Sequence, residues 1–241
     1  MRVAIVSDIH GNRTALEAVV SDLRRQSPDI VYHLGDLVTH GHRPAEVLDC
    51  VQDLGWRGVA GNTDEMLWRP ELLADLVAGA PRLKPLLEAL FTDLAPATRD
   101  LLGDARLAWL KDLPTALRDG GLAMLHASPG NLWRAPLWNA TDQDLDATYE
   151  SLGAPIVVYG HIHRPYVRRT GRLTVANTGS VGLSYDGDPS ASYLLIDDGH
   201  CQIRRVEYDV EREARGLLAS SYPRAEWLAS TLRTGRYTPP A

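Results

Sequence analysis

Short apolar runs that each end in a polar side chain are the feature that most constrains this chain. Residues 3–6 are apolar and precede Asp8, and residues 30–34 precede Asp36. Between these runs, leucines and valines recur at helical spacing, and residues 44–54 form a second amphipathic stretch. The alternation of strand and helix predicts an α/β fold with a parallel sheet. Because ligands bind beyond the carboxyl ends of strands in such sheets, we expect the terminal polar side chains at one rim.

The same pattern returns further along the chain. Predicted strands cover residues 57–60, 122–125, 155–159, 173–176, 192–196 and 202–208. The polar residues that end the strands are Asp8, His10, Asp36, Asn62, His126, His161 and His163. Carboxylate and amide oxygens with imidazole nitrogens, and no thiolate, suit hard or borderline divalent metals. One such residue alone is equally well explained as a cap, but their recurrence at successive strand ends predicts a shared metal site.

Composition limits the partners of the protein. The 241 residues are 44% hydrophobic and 23% charged, which is typical of a globular chain with a sizeable core. A net charge of -6 lacks the basic excess of proteins that bind the nucleic-acid backbone, so no strong nucleic-acid binding is expected. Any phosphate chemistry must therefore recruit positive charge locally, from a metal for example. Apolar runs too short for a membrane span or signal peptide, with two isolated cysteines, predict a cytoplasmic protein without a membrane partner.

Two stretches lie outside the strand pattern. Residues 66–117 are rich in leucine and alanine and are interrupted by prolines, which predicts a helical connection or cap. Its apolar residues predict a possible homodimer face, although packing within the chain explains them equally well. Residues 211–233 are predicted to form a C-terminal helix, and Thr14 with Glu17 matches a capping box at the start of the first helix.

Five short motifs occur in order along the chain: Asp8-x-His10, Gly35-Asp36, Gly61-Asn62-x-Asp64, His126 and Gly160-His161-x-His163. In this order they resemble the motifs of the calcineurin-like metallophosphoesterases. The segments at residues 7–12 and 179–182 are similar to those of the small bacterial phosphodiesterases of that superfamily, and the resemblance extends to about residue 208. It implies a four-layer α/β/β/α sandwich of two mixed sheets flanked by helices, with residues 1–241 as one domain and residues 66–117 as a helical cap insertion.

The resemblance also implies a dinuclear metal centre. One metal ion would be held by Asp8, His10 and His163 and the other by Asn62, His126 and His161, with Asp36 bridging both. Mixed nitrogen and oxygen ligation suits Mn, Fe, Zn, Co or Ni, and manganese is among our expectations. The implied activity is hydrolysis of a small-molecule phosphoester, most simply a phosphodiester, with a metal-bridging hydroxide as nucleophile. The alternatives are a phosphomonoesterase, a nucleotide pyrophosphohydrolase and a non-catalytic metal-binding scaffold.

The third motif departs from the family pattern. Many members carry a histidine after the asparagine, where it protonates the leaving oxygen, whereas this chain has Thr63. A threonine hydroxyl has far too high a pKa for that task. We predict Asp36, Asn62 and Asp64 as catalytic residues, with helix capping as the alternative for Asp64. His40 and His42 are candidates for the missing proton donor, or are idle histidines.

Substrate contacts are predicted from position alone. Asn12, Arg164 and His42 lie in loops next to the motifs, but a helix cap, a solvated arginine and an idle histidine explain them as well. Asn177 and Ser180 lie in a loop similar to one that supports the metal site. Trp133 and Trp138 follow His126, and either is core or stacks on an aromatic leaving group.

Overall fold

The computed structural model describes residues 1–240, and its strands form two five-stranded sheets. The strands are β1 (Arg2–Val6), β2 (Ile30–His33), β3 (Arg57–Gly58), β4 (Ala116–Asp119), β5 (Leu122–Leu125), β6 (Ile156–Tyr159), β7 (Tyr166–Arg169), β8 (Thr174–Asn177), β9 (Ala191–Asp197) and β10 (His200–Val206). The first sheet has the order β10-β9-β1-β2-β3 and the second the order β4-β5-β6-β8-β7. Both are mixed, because β1-β2-β3 and β5-β6-β8 are parallel while β9, β10, β4 and β7 join antiparallel.

Helices cover the outer faces of both sheets. They are α1 (Arg13–Gln26), α2 (Pro44–Asp53), α3 (Asn62–Glu65), α4 (Leu72–Gly79), α5 (Lys84–Glu88), α6 (Ala95–Leu102), α7 (Asp104–Lys111), α8 (Asp142–Tyr149), α9 (Val210–Ala219) and α10 (Ala225–Thr234). Short 3₁₀ segments lie at Pro81–Leu83 and Glu150–Leu152, and a π-helical turn, Ala89–Leu94, joins α5 to α6. None of the helices in residues 1–240 is long and apolar enough to cross a bilayer.

The alternation of side chains along β1 shows how the layers are filled. Val3 and Ile5 pack in the core between the two sheets, together with Met124 of β5. Ala4 and Val6 point the other way, into the core formed with the helices that cover the first sheet. Because the strand is buried on both faces, it reads as a continuous apolar run in the sequence. With a third core beneath α8, this confirms the predicted four-layer α/β/β/α sandwich.

The structure corrects several predicted elements. The strands β4 and β7 and helix α8 were not predicted, and β3 is shorter than residues 57–60. The predicted C-terminal helix at residues 211–233 is wrong as one helix, because α9 ends at Ala219 and α10 begins at Ala225. Pro223 lies in the break, where a helix interior would lose a hydrogen bond. The predicted capping box at Thr14 is also wrong, since Asn12 is the N-cap of α1.

The segment predicted as a cap is helical through most of its length. Helices α4 to α7 occupy residues 72–111, but the end of the predicted range already belongs to β4. Leu87 and Phe91 pack into the core on the helical side of the first sheet, so this segment is attached by buried apolar contacts.

Candidate metal centre

The carboxyl ends of β1, β2, β5 and β6 meet at one rim of the sandwich. The backbone of the Asp8 loop is tied to β2 by a hydrogen bond from Asp8 N to Gly35 O at 3.0 Å. The two later loops are tied to each other, since Gly160 N donates to His126 O at 3.0 Å. Gly160 is required here because a Cβ would lie 2.6 Å from Asp8 Oδ2. Neighbouring strands of both sheets therefore deliver their terminal side chains to the same place.

A first ligand group consists of Asp8, His10, Asp36 and His163. One ligand atom from each lies within 4.8 Å of all the others, and all four residues are buried. His163 Nε2 is 3.1 Å from Asp8 Oδ1 and 3.1 Å from His10 Nε2. These are distances at which one divalent ion can be reached by all four side chains.

A second ligand group, Asn62, His126 and His161, adjoins the first. Asn62 Oδ1 lies 2.8 Å from His126 Nε2 and 2.8 Å from His161 Nδ1. Asp36 faces both groups, with Oδ1 at 3.6 Å from His126 Nε2 and Oδ2 at 3.8 Å from His10 Nε2. The structure thus brings all seven predicted ligands together, in the division that the sequence resemblance implied.

Backbone carbonyls fix the orientation of three of the histidines. His10 Nδ1 pairs with Thr39 O at 2.9 Å, His126 Nδ1 with Leu34 O at 2.7 Å, and His163 Nδ1 with Leu183 O at 2.5 Å. A carbonyl only accepts, so each Nδ1 carries the hydrogen and each Nε2 turns a lone pair toward the centre. Each of these rings is thereby prepared to bind a cation.

The backbone at the site is strained. Five of the seven ligands have left-handed backbone geometry, and their φ angles lie between 52° and 68°: Asp8, His10, Asp36, His161 and His163. Residues with a Cβ adopt this region at a cost of about 1–3 kcal/mol each, and such residues concentrate at functional sites. All five lie within four residues of the end of the strand that precedes them.

Asp64 holds the Asp36 loop in this geometry. Its carboxylate accepts hydrogen bonds from Asp36 N at 2.7 Å, Leu37 N at 3.0 Å and Gly61 N at 3.0 Å. The last bond caps α3, as the alternative interpretation of this residue predicted. Both carboxylate oxygens are occupied by backbone amides, so the structure supports a positioning role for Asp64 rather than its predicted catalytic one.

Burial and mutual electrostatic effects shift the pKa values of the side chains at the site. Burial raises the pKa of Asp36 to about 7, and the nearby negative charges of Asp8 and Asp64 add to this effect against His126. Burial opposes ionisation of Asp8 too, but the neighbouring His163 lowers the pKa of Asp8 overall. Burial and neighbouring histidines also lower the pKa of His10, and that of His161 to about 3. These two imidazoles are therefore neutral and able to ligate.

Asp8 supplies a direct test of whether a metal fits. Its Oδ1 is buried and has no hydrogen-bond donor among residues 1–240. A buried carboxylate oxygen without a donor or a cation is costly. Divalent metal ions fit this position, because the donors around it are carboxylate oxygens and imidazole nitrogens.

Residues behind the ligands complete the site. Ser7 Oγ contacts Asp8 Oδ2 and lies 2.6 Å from Thr178 Oγ1, a support that the sequence analysis missed. Ser180 Oγ donates to Asp8 O at 2.7 Å, and Asn177 Nδ2 donates to Gly160 O at 2.5 Å. The loop predicted to support the site therefore does so through the backbone of the ligand loops.

Two of the predicted substrate contacts lie elsewhere than expected. The side chain of Asn12 is buried, with Oδ1 accepting from Ala15 N and Nδ2 donating to Gly182 O, so its amide serves as the cap of α1. His42 packs against Glu213 of α9, with Nδ1 at 3.4 Å from Oε1. Within residues 1–240, no hydrogen bond, ion pair or ring contact joins His42 to the seven ligands, because its loop turns toward α9.

His40 contacts a ligand and Arg164 follows one in the sequence, whereas the two tryptophans pack against other residues. His40 Nδ1 is 3.1 Å from His10 Nδ1, and burial lowers the pKa of His40 to about 3. Arg164 follows His163 directly, and its guanidinium lies 5.6 Å from the ring centroid of Trp138, which is 49% exposed. Trp133 stacks on Phe91 at 5.5 Å and donates from Nε1 to Glu65, so it belongs to the packing of the helical segment.

Comparison with known proteins agrees with this geometry. The calcineurin-like phosphoesterase superfamily domain matches residues 1–199. An uncharacterized protein of Methanocaldococcus jannaschii is 29% identical, over 97% of this chain and 98% of its own. The phosphodiesterase YfcE of Escherichia coli is 27% identical, over 82% of this chain and 88% of its own.

Solved structures lead to the same family. The crystal structure of a metallophosphoesterase from Sphaerobacter thermophilus superposes with a TM-score of 0.79 at 28% identity, covering 98% of this chain and 100% of that one. The five ordered motifs had already predicted this relationship, and the four-layer sandwich agrees with it. The chain belongs to the calcineurin-like phosphoesterase superfamily.

Proposed function

We propose that this protein is a dinuclear metal-dependent phosphohydrolase that acts on phosphodiesters. The observation that carries the proposal is the carboxylate of Asp36, whose two oxygens face the two ligand groups separately at 3.8 and 3.6 Å. A scaffold that had lost catalysis would be expected to lack ligands, and here all seven are present and in contact. The non-catalytic alternative therefore has no support from the site.

Two divalent cations held here would lower the pKa of a bound water and neutralise charge on the phosphate oxygens. The protein's own residues prepare this chemistry. Asp36 would offset the repulsion between the two cations, and Asp8 would add the second negative charge of the first ligand group. Asn62 contributes a neutral oxygen, so the second ligand group remains acceptable to an anionic substrate.

Two observations bear on the substrate: the third motif constrains the leaving group, and the name of a relative favours a phosphodiester. Thr63 donates its backbone N–H to Asp36 Oδ1 at 2.9 Å, and its buried Oγ1 has no hydrogen-bond partner in residues 1–240. With no imidazole at this position, the substrate must have a leaving group that departs readily. The relative from E. coli is named a phosphodiesterase. Phosphomonoesters and nucleotide pyrophosphates remain the competing substrate classes.

Arg164 is our proposed phosphate contact. It makes no ion pair with any residue of the described chain, 1–240, and it is adjacent to the ligand His163. A guanidinium forms paired hydrogen bonds with phosphate oxygens, so Arg164 is suited to orient the ester. Manganese as the metal, a cytoplasmic location and a homodimer are further parts of this proposal, and rest on the sequence alone.

Metal reconstitution tests the proposal. Purified protein would be stripped, reloaded with Mn, Fe, Zn, Co or Ni, analysed for metal content and assayed with bis(p-nitrophenyl) phosphate and p-nitrophenyl phosphate. We expect two metal ions per chain and faster turnover of the diester. Faster turnover of the monoester would reassign the substrate class, and metal binding without hydrolysis from pH 6 to 9 would restore the scaffold interpretation.

A further inference from the structure

The loop after β8 places an aromatic residue directly on a ligand of the first group. Tyr185 stacks on the ring of His163, with centroids 4.3 Å apart and planes inclined by 18°. Two hydrogen bonds also join this loop to His163. Tyr185 N donates to His163 O at 3.2 Å, and His163 Nδ1 donates to Leu183 O. The position of Tyr185 is therefore tied to that of the ligand.

The hydroxyl of Tyr185 is exceptional among the tyrosines. The chain has 9 tyrosines, and the hydroxyls of seven have hydrogen-bond partners inside the protein. The other two are Tyr237, which is 39% exposed, and Tyr185. No hydrogen bond within residues 1–240 uses the hydroxyl of Tyr185, so it is free to donate to a group that the chain itself does not supply.

The ring stack on His163 keeps the phenol of Tyr185 next to the metal centre. Burial raises the pKa of Tyr185, and Tyr237, Asp8 and Asp36 raise it further. Tyr185 is therefore a neutral donor at neutral pH. A neutral donor adds a hydrogen bond to an anionic substrate without disturbing the charge balance set by the carboxylates and the metals.

The segment that follows α10 packs against Tyr185. Tyr237 packs edge-on against its ring at 5.6 Å, and Gly187 N donates to Gly235 O at 2.8 Å. Trp227 Nε1 donates to Thr238 O at 2.7 Å and fixes the same segment. An aromatic residue held on two faces keeps its hydroxyl in place, which is the arrangement expected of a preorganised contact.

We propose that Tyr185 is a substrate-binding residue whose hydroxyl donates a hydrogen bond to a phosphoryl oxygen of the bound ester. The inference rests on the proposed function, because it needs a phosphate group at the metal centre. Tyr185 and Arg164 then flank the same ligand, His163, one through its ring and the other through the chain. The competing explanation is that the ring only supports His163.

The variant Tyr185→Phe separates these two explanations, since it keeps the stacked ring and removes the hydroxyl. We expect kcat/KM for bis(p-nitrophenyl) phosphate to fall roughly 10-fold, as for one lost hydrogen bond, with metal content and Tm unchanged. Tyr185→Leu should in addition reduce the metal content, because the support of His163 is lost. Tyr193→Phe is the matched control, as it deletes a hydroxyl bonded to Asp22 on α1.

A binding readout makes the outcome independent of turnover. Titration calorimetry of the metal-loaded protein with inorganic phosphate should show binding weakened roughly 5- to 10-fold in Tyr185→Phe and unchanged in Tyr193→Phe. If the wild type hydrolyses the diester and Tyr185→Phe equals it in both assays, the inference is overturned and the proposed function stands. If phosphate binding weakens but no variant hydrolyses any ester, the contact is supported and the proposed function fails. If the wild type neither binds phosphate nor hydrolyses any ester, the inference and the proposed function are both overturned.

Discussion

The two ligand groups are built from the same rim but differ in charge and access. The first contains two carboxylates, and its members Asp8, His10, Asp36 and His163 are at most 4% exposed. The second shares Asp36 but otherwise offers a neutral amide and two imidazoles, and its His161 is only partly buried. Since attraction for a cation grows with negative charge and falls with solvent access, the first group should bind its metal more tightly. Of the two groups, the second is the more accessible to solvent, through His161.

The largest effect is expected from removing what the two groups share. Asp36→Asn preserves the shape of the side chain but deletes the charge that faces both ligand groups. We expect metal content well below two ions per chain and turnover reduced by roughly 10³-fold. Elemental analysis and the diester assay check both, with Asp75→Asn, an exposed residue of α4, as the matched control. Two bound metals with wild-type turnover would show that Asp36 does not bridge.

Next, the two groups can be separated by one variant each. Asn62→Ala removes the shared contact of His126 and His161, so we expect one metal ion to remain and turnover to fall at least 100-fold. Asp8→Asn removes charge from the tighter group, and we expect weaker binding of that metal. Dialysis of each variant against graded chelator, followed by elemental analysis, measures the order of loss. If both variants lost both ions together, the two groups would not be independent sites.

A smaller effect is expected behind the ligands. The carboxylate of Asp64 accepts hydrogen bonds from the backbone N–H groups of Asp36, Leu37 and Gly61. Asp64→Asn replaces one of the accepting oxygens by an NH₂ group, which cannot accept, so at least one of these N–H groups loses its partner. We expect a loss of about 1–3 kcal/mol in the free energy of unfolding, and turnover lowered about 10-fold with KM nearly unchanged. Denaturant unfolding and steady-state kinetics measure the two effects. A large loss of turnover at unchanged stability, with an altered acid limb of the pH profile, would instead support the catalytic role predicted from sequence.

The sequence predicted which side chains meet at the rim better than it predicted what surrounds them. Strand ends and motif spacing place all seven there, and metal binding by them stays a prediction. The bond of Asp64 to Asp36 N and the stacking of Tyr185 on His163 were missed, because the partners lie more than twenty residues apart in the sequence. The break before α10 had a visible signal in Pro223, but β4 and β7 are short edge strands whose sequences alternate only weakly. Local sequence patterns therefore identified the side chains at the rim, whereas the contacts that hold those side chains in place depend on the tertiary structure.

The smallest effect concerns a histidine that ends β2 but belongs to neither ligand group. His33 is fully buried, neither ring nitrogen has a partner within residues 1–240, and its ring lies against Gly58. Burial lowers the pKa of His33 to about 3 from 6.5. The unfolded chain therefore takes up a proton at His33 below pH 6.5 while the folded chain does not, and stability falls as the pH falls from 6.5 toward 3.

His33→Leu should remove this part of the acid sensitivity and leave the ligand histidines as they are. Each pH unit below 6.5 corresponds to about 1.4 kcal/mol, so between pH 7 and pH 5 the wild type should lose about 2 kcal/mol more than His33→Leu. Packing differences between the two side chains are the same at both pH values and cancel in this comparison. Denaturant unfolding at the two pH values measures it, with the exposed His200→Leu as control. If wild type and variant lose the same unfolding free energy between the two pH values, acid destabilises the fold through the two ligand groups and not through His33. Protein stripped of metal by a chelator should then be much less sensitive to acid.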